Sequence, residues 1–114
     1  MHKPIKEGIV ADKGVDKKLR RLLARIVENC SPKRIYLFGS YARGDYHEGS
    51  DVDLAIVGDF RERFIDRIGR ILDLNDTSLE IEPMAYTEDE FSRMEKRGNA
   101  FITNVKKGKL VYSS

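Results

Sequence analysis

A handful of residues in this chain are of types and at spacings that handle phosphate and metal. Gly39-Ser40 follows directly on a short apolar run, 34–38. Glycine there lets the backbone turn sharply and approach a ligand, and successive N–H groups opening a helical turn form an anion-binding nest. The Ser40 hydroxyl adds a donor. Arg43, three residues on, can meet phosphate oxygens or an acidic loop neighbour. Asp51 and Asp53 then sit two apart in a β-branched run, so strand alternation points both carboxylates the same way. Two such carboxylates repel unless a cation lies between them. Hard oxygen ligands suit Mg²⁺, which binds through one or two carboxylates plus substrate phosphates. Glu80 and Glu82 supply a third carboxylate on a later strand, and three can hold two ions roughly 4 Å apart. Each feature alone has an ordinary explanation: a turn, an edge-strand alternation, a surface arginine. Their joint placement, at the end of one strand and the start of the next, is not something a fold requires.

The elements that must position these residues are legible in the pattern. Residues 1–11 lack periodicity and read as an arm or a short strand. Val15, Leu19, Leu22, Leu23, Ile26, Val27 and Cys30 have helical spacing, and Ser31-Pro32 ends that helix. A buried strand over 34–38 and a loop over 39–50 follow, the loop opening with a helical turn at Ser40–Arg43. Residues 51–57 form the next strand. Asp59 with Glu62 has the form of a capping box, predicting a helix that turns Phe60, Phe64, Ile68, Ile71 and Leu72 inward. Residues 79–85 read as a third strand, with Pro83 hinting at an edge. Thr87 and Glu90 make a second capping box, flanked by Tyr86 and Phe91 as a hydrophobic staple, and predict a helix from Glu88 to about Arg97. Asn99 caps a last short helix, and 110–112 form a final strand. The expected architecture is a small α/β (α+β) fold: one domain over 1–114, a short mixed sheet with helices packed on one side.

Composition narrows the function classes. The chain has 114 residues, 40% hydrophobic and 35% charged, with a net charge of +2. Residues 1–58 carry 11 Lys/Arg against 8 Asp/Glu (+3), and residues 59–114 carry 10 against 11 (−1). That low net basicity, with no aromatic-basic platform, argues against nucleic acid as a partner. The cluster Lys17, Lys18, Arg20, Arg21 and Arg25 reads as a solvated helix face, with docking of an acidic partner as the alternative. The single cysteine, Cys30, excludes an internal disulfide and reads as a small core residue. No apolar run has the length of a membrane span and no signal-peptide core is present, so a cytoplasmic protein without membrane association is expected.

The string Leu37-Phe38-Gly39-Ser40-Tyr41-Ala42-Arg43-Gly44, continued by Ser50-Asp51-Val52-Asp53-Leu54, resembles the signature of the nucleotidyltransferase superfamily that includes DNA polymerase β. Ten residues separate Ser40 from Asp51. The fuller string is similar to the minimal nucleotidyltransferases of prokaryotes, and a looser likeness runs through the preceding helix and residues 99–112. The resemblance implies a nucleotidyltransferase fold and transfer of a nucleoside monophosphate, AMP from ATP, to a hydroxyl acceptor. Asp51, Asp53 and Glu82 are implied as catalytic metal ligands for Mg²⁺, two ions being expected. Gly39, Ser40 and Arg43 are implied to hold the nucleotide. Glu80 is the second choice for the third carboxylate, and glutamate at that place departs from the aspartate common in the family.

Larger relatives carry an additional acceptor-binding domain, so here the acceptor is expected to come from a partner or to be very small. The implied partner is a small helical HEPN-type protein, a toxin neutralised by AMP placed on a tyrosine, in a hetero-oligomer or alongside a homodimer. The alternative is a non-catalytic binding module of the same fold that neutralises or scaffolds such a helical partner.

Overall fold

The computed structural model describes residues 5–114; the first residues of the expected N-terminal arm lie outside them. The remainder of that arm is irregular. It buries Ile9 and Val10, and Lys6 N–H donates to the Val111 carbonyl at 3.1 Å.

Helix α1 (Lys13–Cys30) is capped by Asp12, whose carboxylate accepts from Val15 N–H. It buries Leu19, Leu22, Leu23 and Ile26 on one stripe. It stops where expected: Ser31, forced out of the helical region by Pro32, adopts a left-handed φ of 46°. Strand β1 (Arg34–Phe38) leads into the helical turn α2 (Ser40–Arg43), and β2 (Val52–Val57) returns antiparallel to β1. Helix α3 (Phe64–Asp73) crosses over to β3 (Ile81–Tyr86), which runs parallel to β2. Helices α4 (Glu88–Lys96) and α5 (Ala100–Lys106) follow, and β4 (Lys109–Ser113) pairs antiparallel with β1. The sheet order is β3-β2-β1-β4. Pro83, lacking a backbone donor, therefore stands on an edge strand, as its type requires.

The mixed α/β class holds, but the helices are not confined to one side. Strand alternation divides the interior into two clusters. Ile35, Leu37, Val52, Leu54 and Ile56 pack with α1 and with Ile71 of α3. Phe38, Ala55, Val57 and Tyr86 pack with Phe91, Ile102 and Val105 of the α4–α5 layer. Alternate residues of β1 and β2 are apolar on both faces, and a strand buried on both faces needs a layer on each.

A second correction concerns α3. The expected box at Asp59 does not form: the helix starts at Phe64, with Arg63 at the cap position and no side-chain cap bond. Glu62 instead receives Arg70 at 2.8 Å. The helix buries Arg67 and Ile71, while Phe64 and Leu72 are exposed. Arg67 takes an interior position because its fork is satisfied on every side. Nε donates to the Glu62 carbonyl, and Nη1 donates to the Ala85 carbonyl and to Glu90 at 2.7 Å. Its guanidinium also lies over the Phe60 ring. The α1 cations form a solvated face, with Lys17, Lys18 and Arg21 exposed, but several are engaged within the chain. Arg21 grips Asp76, Lys18 meets Ser78, and Arg25 donates to the Leu74 carbonyl, tying α1 to the α3–β3 loop. Cys30 packs against the core, and burial raises its thiol pKa.

Candidate active site

Register brings the candidate residues together. Phe38 is opposite Asp53 across the antiparallel pair, and Asp53 is opposite Glu82 across the parallel pair. Residues directly opposite on neighbouring strands project from the same sheet face, so both carboxylates stand on the α4–α5 side, beside the point where β1 ends. Gly39 occupies that point with φ 74° and ψ −154°. A Cβ added at Gly39 would lie 2.1 Å from Asp53 Oδ2 and 3.1 Å from its Cγ. Only glycine accepts both this backbone conformation and this approach. The turn α2 then opens at Ser40, whose backbone sits among the helix-start donors that lack an intrahelical acceptor. Gly44, in a left-handed conformation, closes the turn by donating to the Ser40 carbonyl at 2.9 Å.

The rest of the loop is held rather than loose. The Tyr41 and Tyr46 rings stack at 4.2 Å, and His47 and Ser50 bond to each other's backbone and hydroxyl groups. Asp51 is exposed, one residue ahead of β2. Arg43 is exposed and pairs with Asp45 at 3.3 Å, the acidic loop neighbour that its position allowed.

The electrostatics centre on Asp53. Its pKa is pushed up to about 6, first by burial, then by a hydrogen bond and charge repulsion from Glu82 and by the charge of Asp51, with Arg43 acting in opposition. Asp53 thus bears the cost of a negative cluster whose other members lie on two sides. Glu80 stands apart: its carbonyl accepts from Val52 N–H at 2.8 Å, while its side chain precedes β3 and is outside the Asp53 register.

The donor set is wholly hard oxygen and suits Mg²⁺. It is not a closed cage. Among the described residues no three His, Cys, Asp or Glu side chains are gathered as a metal-ligand group. Asp53 and Glu82 form the close pair, and Asp51 acts on it from outside. Such a pair fits an ion that takes its remaining ligands from water and phosphate oxygens, the usual habit of Mg²⁺.

One contribution has no signal in the sequence. Gly108, 69 residues beyond Gly39 by the numbering, packs so tightly that a Cβ there would lie 2.2 Å from the Leu37 carbonyl oxygen and 3.0 Å from Phe38 Cα. The cleft beside Gly39 is consequently lined by Ala42 and Arg43 on one wall and by Asn104, Lys107 and Lys109 on the other. Only the pairing of β4 with β1 reveals that wall.

Among the described residues no helix is long and apolar enough to cross a membrane. Comparison with known proteins agrees with the geometry. A candidate nucleotidyltransferase from Sulfolobus solfataricus, known from its crystal structure, superposes with a TM-score of 0.53 and 26% identity, over 87% of this chain and 86% of that one. Two candidate protein adenylyltransferases of Methanocaldococcus jannaschii share short, closely similar stretches. One is 74% identical over 27 residues and the other 71% identical over 24. Those stretches span 24% and 21% of this chain and only 27% and 24% of the two relatives. The model of the nucleotidyltransferase domain matches residues 17–110, which run from within α1 to the start of β4. With the Gly39-Ser40 turn, Asp53, Glu82 and most of the chain inside that span, the protein belongs to the nucleotidyltransferase domain family.

Proposed function

We propose that the protein is a magnesium-dependent adenylyltransferase that moves AMP from ATP to a hydroxyl on a protein acceptor. A tyrosine of a small helical HEPN-type protein is the acceptor, and modification silences it. The observation that carries the enzymatic reading is the Gly39–Asp53–Glu82 contact. A half-buried carboxylate pressed against a second one weakens the fold, and a module that only binds a partner has no use for it. The names of the two archaeal relatives support adenylyl transfer to protein.

In this reading Gly39 and Ser40 offer backbone donors, and Ser40 its hydroxyl, to the triphosphate. Arg43, released from Asp45, neutralises part of its charge. Asp51, Asp53 and Glu82 would hold Mg²⁺, which supplies charge neutralisation at the phosphates. The acceptor oxygen bonds to the α-phosphorus, the bond from that phosphorus to the β-bridging oxygen breaks, and pyrophosphate departs. The acceptor proton passes to the Glu82 carboxylate. Because a small catalytic unit offers little surface to orient a hydroxyl, and orientation supplies much of the rate, the partner must present its own tyrosine.

Two measurements test this. Mg²⁺ with ATP should raise the melting temperature more than either alone, and Asp53→Asn should abolish that synergy while retaining the fold. Intact-mass spectrometry with the helical partner should show an added AMP on the partner, lost in Glu82→Gln and largely kept in Glu80→Gln. A partner that binds tightly yet never gains mass, with any of the four nucleotides, would leave the binding-module reading in its place.

A further inference from the structure

One wall of the cleft beside Gly39 carries charge that the carboxylate pair does not explain. The cleft holds about 370 Å³, within the roughly 300–1,000 Å³ of small-ligand sites. Arg43, Lys107 and Lys109 line it, and no acidic side chain does. Asp53, which comes against Gly39, is not part of that lining. Gly39 thus stands between carboxylates on one side and cations on the other.

Arg43 and Lys109 are already engaged. Arg43 Nε meets Asp45 at 3.3 Å, and Lys109 Nζ donates to the Ile9 carbonyl at 2.8 Å. Lys107 is exposed and enters no ion pair among the described residues. Its backbone, by contrast, is fixed. Lys107 N–H closes α5 on the Thr103 and Asn104 carbonyls at 3.2 Å. The next residue, Gly108, lies so close to β1 that a Cβ would meet the Leu37 carbonyl oxygen at 2.2 Å. A flexible cation is therefore mounted on rigid backbone, beside the strand end that leads into Gly39-Ser40. Asn104, one helical turn earlier on α5, lines the same wall and adds an amide donor.

An exposed lysine is ordinarily just solvated, and a cation at the end of a helix is favoured by the helix dipole. Neither accounts for the wall. Lys106 already stands in the last turn of α5 and pairs with Glu95, outside the cleft. Cations that converge on one small cavity also repel one another, a cost that disappears once an anion occupies it.

A chain of phosphates is the anion of matching chemistry. With the α-phosphate held at the carboxylate pair, the remaining phosphates extend past Gly39-Ser40, and the cationic wall is the side of that turn free of carboxylates. We propose that Lys107, with Asn104 beside it, binds the β- and γ-phosphates of the nucleotide, and hence the pyrophosphate that departs. The assignment rests on the proposed nucleotidyl transfer for the identity of the ligand. Lys107 is a binding residue in it: its ammonium offers N–H donors and positive charge to oxygens that gain charge as the bond to the α-phosphorus breaks.

Isothermal titration calorimetry of the full chain with Mg²⁺–ATP and, separately, with inorganic tripolyphosphate tests this. Lys107→Ala should weaken both at least about tenfold, the loss expected for one charge-assisted hydrogen bond, with an unchanged melting temperature. Lys107→Arg should recover most of the affinity. Lys106→Ala removes the same charge one residue away and should leave both affinities at the wild-type level. The gap between wild type and Lys107→Ala should narrow as salt is raised. Equal losses in Lys106→Ala and Lys107→Ala would make Lys107 no more than a share of the overall charge and overturn the assignment. So would an unchanged affinity in Lys107→Ala, or a wild type that binds neither ligand. AMP transfer by a protein whose ATP affinity ignores Lys107 overturns this assignment and leaves the proposed reaction standing. Lys107-dependent binding of ATP and tripolyphosphate without transfer to any partner supports the assignment and overturns the reaction.

Discussion

Gly39 answers to two separate demands: a backbone conformation in the region that disfavours side chains, and a neighbour standing where a side chain would begin. The two can be separated by experiment. Gly39→Ala should destabilise the protein markedly, because its methyl would overlap Asp53 Oδ2. In an Asp53→Ala background the same substitution should cost less, because the clashing oxygen is gone and only the backbone strain of about 1–3 kcal/mol remains. Chemical denaturation of the four proteins in a double-mutant cycle reads the coupling directly, and strict additivity would show that Gly39 is kept for conformation alone. The sequence announced the types and spacing of Gly39, Ser40, Asp51 and Asp53, because strand alternation and turn chemistry are local. It could not announce the contact between Gly39 and Asp53. Nor could it decide between Glu80 and Glu82 on residue type, since that choice depends on the register of β3 against β2.

At the level of elements, the two capping boxes read in the sequence had opposite fates. Thr87 and Glu90 form theirs in full, with Tyr86 and Phe91 in ring contact at 6.2 Å as the staple. Asp59 and Glu62 satisfy the same spacing rule but form none, because Phe60 is drawn into the α1-side core and Glu62 serves Arg70. Spacing identifies a cap only where tertiary packing leaves the segment free to start a helix. The periodicity of α3 misled for a related reason. Arg67 counts as polar in any hydrophobic pattern, yet its full set of partners makes it an interior residue.

Glu90 belongs to both arrangements, closing the cap with Thr87 N–H at 2.8 Å and receiving Arg67. The Arg67 hydrogen bond is the chief cause holding its carboxyl below the usual range. A folded pKa lower than the unfolded one stabilises above the unfolded value, near 4.3, and that stability is lost as pH falls through the folded value. Glu90→Gln should therefore lower the melting temperature at neutral pH, and the gap from wild type should shrink in acid. The carboxylate is partly solvent-screened, which keeps the effect modest. A gap unchanged down to pH 3 would show that Glu90 acts by shape and hydrogen bonding and not by charge.

For the molecule as a whole, the site is a product of sheet order. β1 and β2 are close in sequence and carry the motif, but the second wall of the cleft comes from the end of α5 and the start of β4, whose close approach depends on Gly108. Gly108→Ala should lower stability, because the atoms it meets are backbone and cannot swing aside. It should also weaken Mg²⁺–ATP binding in a thermal-shift titration, since the displaced atoms are those of Leu37 and Phe38, immediately before the Gly39-Ser40 turn. Lost stability with unchanged nucleotide affinity would show that β4 supports the fold and leaves the site alone. The expectation of helices on one side failed at this scale too. Strands with apolar residues on both faces call for two layers, but nothing local to α4 or α5 says which layer each will join.

The placement of β4 also has a consequence in time. The hairpin of β1 and β2 and the crossover to β3 join neighbours in the chain, whereas β4 must close a loop of some seventy residues to reach β1. Closure entropy grows with loop length, and long-range pairings form late. A refolding chain should thus register Asp53 against Glu82 before β4 docks, passing through a stage with both carboxylates in place and Lys109 not yet beside the cleft. Mutations confined to β4 should accordingly speed unfolding more than they slow folding. The site would be built from its acidic side first and closed from its basic side last.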